Sequence, residues 1–325
     1  NAMFEEVSTG QIIDHVGGRA DLAAGVIRTV GNPEARFGED RLRLLRAVRF
    51  AARFDFTIDP PTMAAIRRHA ASITEISAER IGDEMVKMLT EGRVRRAFEL
   101  LDESGLLALI LPQMSDMKDC TQPPDHHPEG DVFEHTLRAL DQLTGDCSPT
   151  LALGVLLHDV AKPACRMTKG DRIVFYGHTG RGAVMAGEFC ERLRLSRRDS
   201  ERVVFLVDQH LRHCSAAEMR PATLKRFLRQ DGIEELLELT RIDAMAANGD
   251  LSHYEFCMNA LGTIEEEELR PRPLVSGHDL IGMGLEPGPL FKKILSVVEE
   301  AQLNREVSSR DEALALVRSR YLGKP

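Results

Sequence analysis

Between residues 39 and 112 the apolar positions recur every three or four residues, the spacing of helices that bury one face. In DRLRLLRAVRFAARF, Leu42, Leu45, Val48 and Ala52 fall on one face and arginines on another, which predicts an amphipathic helix. DPPTMAAIRRHAASI opens with prolines suited to a first helical turn, and SAERIGDEMVKMLTEG has Ser77 placed as N-cap. VRRAFELLDESGLLALILPQ closes this helical stretch, with Gly105 and Pro112 as punctuation. Upstream, FEEVSTGQIID reads as strand, turn and strand, followed by the Gly17-Gly18 turn and the β-rich GVIRTVG. SDMKDCTQPPDHHPEGD is polar and proline-bearing and predicts a loop or linker. Helices resume from about 132 to 267, broken once by TKGDRIVFYGHTG, whose alternation and glycines predict a short hairpin. Beyond 268 a Pro/Gly-rich loop precedes two expected helices.

The pattern therefore predicts a mainly α chain with a short β segment at its N-terminal end. The expected segments are 1–30 with strands, 31–115 as a helical bundle, 116–267 as a second all-α region and 268–325 as a loop and helical tail. At 325 residues, more than one core is expected. No apolar run approaches the roughly 18 residues of a membrane span, and the opening residues do not read as a signal peptide. Six scattered cysteines with no C-x-x-C pair point to reduced thiols in a cytoplasmic protein. A net charge of −9 argues against indiscriminate nucleic-acid binding but leaves room for a local basic face. Arg36, Arg41, Arg43, Arg46, Arg49 and Arg53 supply one.

The chemistry is concentrated between residues 135 and 243. His135 in FEHTLRAL, His158-Asp159 at the end of LALGVLLHDVAK and Asp243 in RIDAMAANGD are far apart in sequence and each sits in a helical pattern. Imidazole nitrogen with carboxylate oxygen is a ligand set for divalent Mn, Fe, Ni, Co, Zn or Mg. The apolar run Leu151 to Leu157 buries the helix before His158-Asp159, and a buried carboxylate needs a cation. A His-Asp dipeptide alone is usually an accident; the series together argues for a metal-dependent enzyme. His178, in a glycine-flanked turn, and His210, after an apolar run, are candidates for a second ion. Lys162 and Arg181 are candidate phosphate binders, and Asp159 with these two forms the expected catalytic set. His126, His127, His213, His253 and His278 are expected at the surface or in loops. Glu39, Asp40, Arg43 and Arg46 share a helical face, either as a solvated salt-bridge ladder or as a template for the edge of a base.

GQIIDHVGG, VIRTVGNPEARFGEDRLRLLRAVRFAARFDFTID, SAERIGDEMVKML, FEHTL, LLHDVAKP, GHTGRGA, RIDA and VSGHDLIGMGLEPGP, in this order, resemble the bacterial tRNA nucleotidyltransferase/poly(A) polymerase family, the CCA-adding type with a C-terminal HD domain. The resemblance implies a neck bundle and an all-α HD-type domain. It implies that Glu39, Asp40 and Arg43 select the incoming CTP or ATP, with Glu79, Arg80 and Glu84 as a second neck element. It further implies tRNA and nucleotides as partners, and metal-dependent phosphohydrolase activity with one or two ions at the HD site. The family's head carries a Gly-Ser loop and Asp-x-Asp carboxylates; this sequence has neither dipeptide nor triplet. The chain is therefore expected to start at the last strand of that head and, by itself, not to add nucleotides.

Three functions follow: hydrolysis of a phosphoester at the HD-type site; nucleotide addition to RNA with a head from a longer start or another chain; or non-catalytic RNA binding. An oligomer is compatible with all three.

Overall fold

The computed structural model describes residues 3–123 and 130–323; His126 and His127 lie outside the described residues. Two compact units emerge: residues 1–210 with 238–250, and residues 211–237 with 251–325. The boundaries expected at 30 and 115 fall inside the first unit, and the one at 267 inside the second.

In the first unit, β1 (Met3–Glu5) and β2 (Ile12–Asp14) form an antiparallel hairpin, as the alternation predicts. Residues after Gly17 do not continue as strand. Gly17, at φ 78°, instead opens helix α1 (Gly18–Ala24). GVIRTVG contributes only β3 (Val26–Ile27), which pairs in parallel with β4 (Thr57–Ile58) from the helical region. Between them lie α2 (Pro33–Glu39), with Asn32 accepting from the amides of Glu34 and Ala35, and α3 (Arg43–Phe54). The pattern did not predict α2. Its Asn-Pro start is a cap signal, but the helix buries only Phe37 and so shows little apolar period.

Helix α3 buries Leu44, Leu45, Val48, Ala51 and Ala52 against α5 (Ala78–Thr90) and α6 (Val94–Glu103), and Asp55 in a left-handed conformation stops it. Helix α4 (Pro60–His69) starts where Asp59 caps the amide of Thr62. Ser77 stands at the start of α5 without making a side-chain cap bond. Short helices α7 (Leu107–Ile110) and α8 (Pro112–Ser115) lead into the loop, and Pro112 begins a turn rather than ending one.

The second half of this unit carries α9 (Val132–Asp141), α10 (Pro149–Leu157), the short α11 (Lys162–Cys165), the hairpin β5 (Met167–Lys169) and β6 (Arg172–Val174), α12 (His178–Arg192) and α13 (Arg197–Gln209). Helix α10 is apolar on every side and buried from Thr150 to Leu157, packed by α5, α9 and α13. Gly154 permits that packing: a Cβ there would lie 2.9 Å from Leu206 and 3.0 Å from Leu239.

The second unit holds α14 (Pro221–Leu228), the first residues of α15 (Ile233–Ala246), α16 (Ser252–Thr263), α17 (Glu266–Leu269), α18 (Gly277–Gly282), α19 (Pro289–Leu303) and α20 (Arg310–Val317). Val275, Leu280, Ile294, Val298, Ala313 and Val317 form its tail core, from three helices where two were expected. His213, expected at the surface, is buried beside Cys214 and His253, because residues 212–218 coil into a 3-10 turn that packs on α16. Among the described residues no helix is long and apolar enough to cross a membrane, and all six cysteines are free thiols.

Candidate metal centre

The first unit brings the six predicted ligands together. His135, within α9, is fully buried; His158 caps the C-terminus of α10 and Asp159 follows it, each 1% exposed. His178 is the first residue of α12, His210 caps α13, and Asp243 comes from the part of α15 that belongs to this unit. Two triads have ligand atoms mutually within 4.8 Å: His135, His158 and Asp243, and Asp159, His178 and His210. Asp159 also reaches the first triad, with Oδ2 3.2 Å from His158 Nε2 and 3.8 Å from His135 Nε2, while Oδ1 lies 3.5 Å from His178 Nε2 and 3.8 Å from His210 Nε2. It stands between the two sets rather than in the first alone, where the sequence placed it.

Three imidazoles are oriented by one device. His158, His178 and His210 each place Nδ1 2.7–2.8 Å from the carbonyl oxygen three residues earlier, that of Val155, Phe175 and Val207. A carbonyl only accepts, so Nδ1 carries the proton and the Nε2 lone pair faces the cluster. Val155 and Val207 supply theirs from helix C-termini, where carbonyls lack helical partners, and Phe175 from the turn before α12. His135 is fixed by Asp243 instead, its Nε2 2.9 Å from Oδ1.

The electrostatics suit a cation. Burial, followed by repulsion from His158, pushes the His210 imidazole down to about 4, and burial also lowers His178, so both stay neutral donors. Burial alone would raise the Asp159 carboxyl, but Lys162, then His158, hold it well below the usual range. Asp243 is likewise held low: burial opposes ionisation, and the hydrogen bond from His135 outweighs it. Asp159 Oδ1 and His178 Nε2 are buried and make no hydrogen bond, a costly arrangement that a divalent ion would resolve. The donor set fits such an ion: borderline imidazoles with carboxylates, two nitrogens and one oxygen in the first triad.

Lys162 lies inside this site with two polar partners. Its buried ammonium is 2.6 Å from Asp159 Oδ2, donates to Gln122 Oε1 at 2.6 Å and has the Phe175 ring 5.5 Å away. Gln122, 5% exposed, comes from the proline-bearing loop and was not predicted; no local signal marks it, because its partner is forty residues away. Arg181 lies exposed on α12 and donates to the carbonyl of Ala164, with no described contact to the six ligands.

The two arginine-bearing elements of the helical bundle also meet. Glu39 pairs with Arg36 and with Arg43 at 2.8 Å, Asp40 lies 3.2 Å from Arg80, and Glu79 is exposed. Arg46 is 3.8 Å from Glu84, which is 2% exposed and held 2.8 Å from Arg49. Glu84 is thus buried among cations that it orients.

The chain is similar to several known proteins. Residues 55–118 match the family described as the probable RNA and SrmB-binding site of polymerase A. The A-adding tRNA nucleotidyltransferase of Deinococcus radiodurans is 33% identical over 94% of this chain and 74% of its own length. The multifunctional CCA protein of Chromobacterium violaceum is 36% identical over 69% of this chain, which spans only 54% of that protein. The fold is that of the Bacillus stearothermophilus CCA-adding enzyme solved in complex with CTP, at a TM-score of 0.66 and 24% identity, covering all of this chain and 73% of that one. The chain belongs to the tRNA nucleotidyltransferase family.

Proposed function

We propose that this chain serves RNA 3′-end processing and that its own metal centre, of the HD type, hydrolyses a phosphoester. The observation that carries the reading is the pair of ligand triads joined by Asp159, with three imidazoles oriented by backbone carbonyls. His135, His158 and Asp243 would hold one divalent ion, His178 and His210 a second, with Asp159 between them. A bound ion of this kind acidifies water and offsets charge on a phosphoryl group.

The chain's own residues prepare that chemistry. Lys162 and Gln122 fix the Asp159 carboxylate, and the carbonyls of Val155, Phe175 and Val207 keep the imidazole lone pairs turned inward. Asp243 keeps 19% of its side chain exposed, so it marks the open side where substrate enters. The experiment is turnover of 2′,3′-cyclic nucleotides and p-nitrophenyl phosphate with Mn, Ni, Co or Mg. Activity lost in Asp159→Ala supports the reading; no turnover above that variant in any metal refutes it.

A second reading is nucleotide addition to tRNA, with Glu39, Asp40 and Arg43 reading the incoming base. It is favoured by the contact between Asp40 and Arg80, which joins the two neck elements on one face. Titration with CTP and ATP tests it. Binding that Arg43→Ala abolishes supports it, and equal binding by both proteins removes it.

A further inference from the structure

At the C-terminal end of α3 three phenylalanines stand in a row. Phe50 and Phe54, one turn apart, stack with ring centroids 6.0 Å apart and planes 11° from parallel. Phe56, just beyond the helix, tilts onto Phe54 at 5.7 Å. Arginines line the same end: Arg46 and Arg49 stand 5.3 and 4.4 Å from the Phe50 centroid, and Arg53 stands 5.7 Å from that of Phe54. Phe50 and Phe56 are half-buried, whereas Phe54 is 51% exposed.

Acidic groups only partly neutralise this end. Arg49 and Arg53 share Glu91 at 3.1 and 2.7 Å, Arg46 and Lys87 approach Glu84, and Arg93 pairs with Asp55. These five cations face three carboxylates, and Arg53 keeps 44% of its side chain exposed. A single exposed ring inside an ionic rim lacks the contiguous apolar area of a protein interface. A flat aromatic face flanked by cations is instead what an unpaired base and its adjoining phosphates require.

We propose that Phe54 is a stacking platform for an unpaired nucleobase, with Arg46 and Arg53 receiving the adjoining phosphates. The inference rests on the RNA-processing reading only for the nature of the strand, and it does not depend on the metal centre. The base belongs either to a single-stranded RNA end or to a free nucleotide, and the experiment separates these.

The sequence contains no tryptophan, so Phe54→Trp places the sole tryptophan at the platform, where it is excited selectively over the tyrosines. It is titrated, in chelator, with an unstructured oligoribonucleotide and separately with CTP and ATP. Saturable quenching by the oligonucleotide that weakens as salt rises assigns the platform to RNA; quenching by the mononucleotides alone assigns it to the free nucleotide. In the unlabelled protein Phe54→Ala and Phe54→Leu each weaken binding roughly 5- to 150-fold, the range for one lost stacked base. Leu keeps apolar bulk without a π face, so wild-type affinity in Leu overturns the proposal. So does the absence of saturable quenching by either ligand, and so does quenching that grows with protein concentration alone, which would mean a second copy covers the ring. Because chelator is present, failure of the hydrolase assay leaves these outcomes readable.

Discussion

Replacing Lys162 with Met should make the first unit's stability depend on metal. The ammonium is 7% exposed and 2.6 Å from the Asp159 carboxylate, itself 1% exposed. Lys162→Met keeps much of the stem but leaves a buried carboxylate without its nearest cation and Gln122 Oε1 without its donor. Breaking a buried pair by removing one partner costs about 3–5 kcal/mol. In a unit of this size that corresponds to a fall of roughly 6–20 °C in melting midpoint. A divalent ion at Asp159 supplies the missing charge, so the loss should shrink to about 1 kcal/mol when Mn, Co or Ni is bound, the residue of the lost Gln122 bond. Thermal melts of both proteins, with chelator and with metal, read this directly. The metal-induced rise should be several degrees larger in Lys162→Met than in wild type. An equal rise in both would refute the assignment of Asp159 as a ligand whose charge Lys162 balances.

Three further predictions concern the scaffold. Gly82→Ala should cost about 1–3 kcal/mol, because its Cβ would sit 2.7 Å from the carbonyl oxygen of Leu193, whereas Gly38→Ala, with nothing within 4 Å, should be neutral or stabilising in urea titrations. Ser148→Ala should lose about 1 kcal/mol with the bond that its Oγ accepts from the Leu151 amide, while Ser77→Ala, which removes no cap bond, should lose under about 0.5 kcal/mol by the same measurement. In thiol labelling at pH 8, exposed Cys214 should react first. Cys190 and Cys257, both pushed up to about 11 chiefly by burial, stay protonated below that pH and should label only on unfolding; mass mapping of the modified peptides checks the order.

What could be read in the chain follows the range of each interaction. The burial of Leu42, Leu45, Val48 and Ala52 rests on local periodicity, and it was legible. So was the convergence of His135, His158, Asp159 and Asp243, because buried charges on apolar helices need one another. Gln122 was not legible, since only the folded chain puts its loop against Lys162. The same limit hid the surroundings of Lys162, whose ammonium only the folded chain sets between Asp159, Gln122 and the Phe175 ring. Arg181 shares a turn with His178, yet its helical position turns it outward to Ala164. Phe54 carried no signal at all: it is the last residue of α3, and an exposed ring there is invisible to apolar periodicity.

The metal content of the protein decides whether the two triads hold ions. After equilibration with Mn, Co or Ni and removal of free ion, elemental analysis should find one to two ions per chain, falling below one in Asp159→Ala while that variant remains folded. A wild-type chain that retains no ion above the Asp159→Ala background would contradict the account.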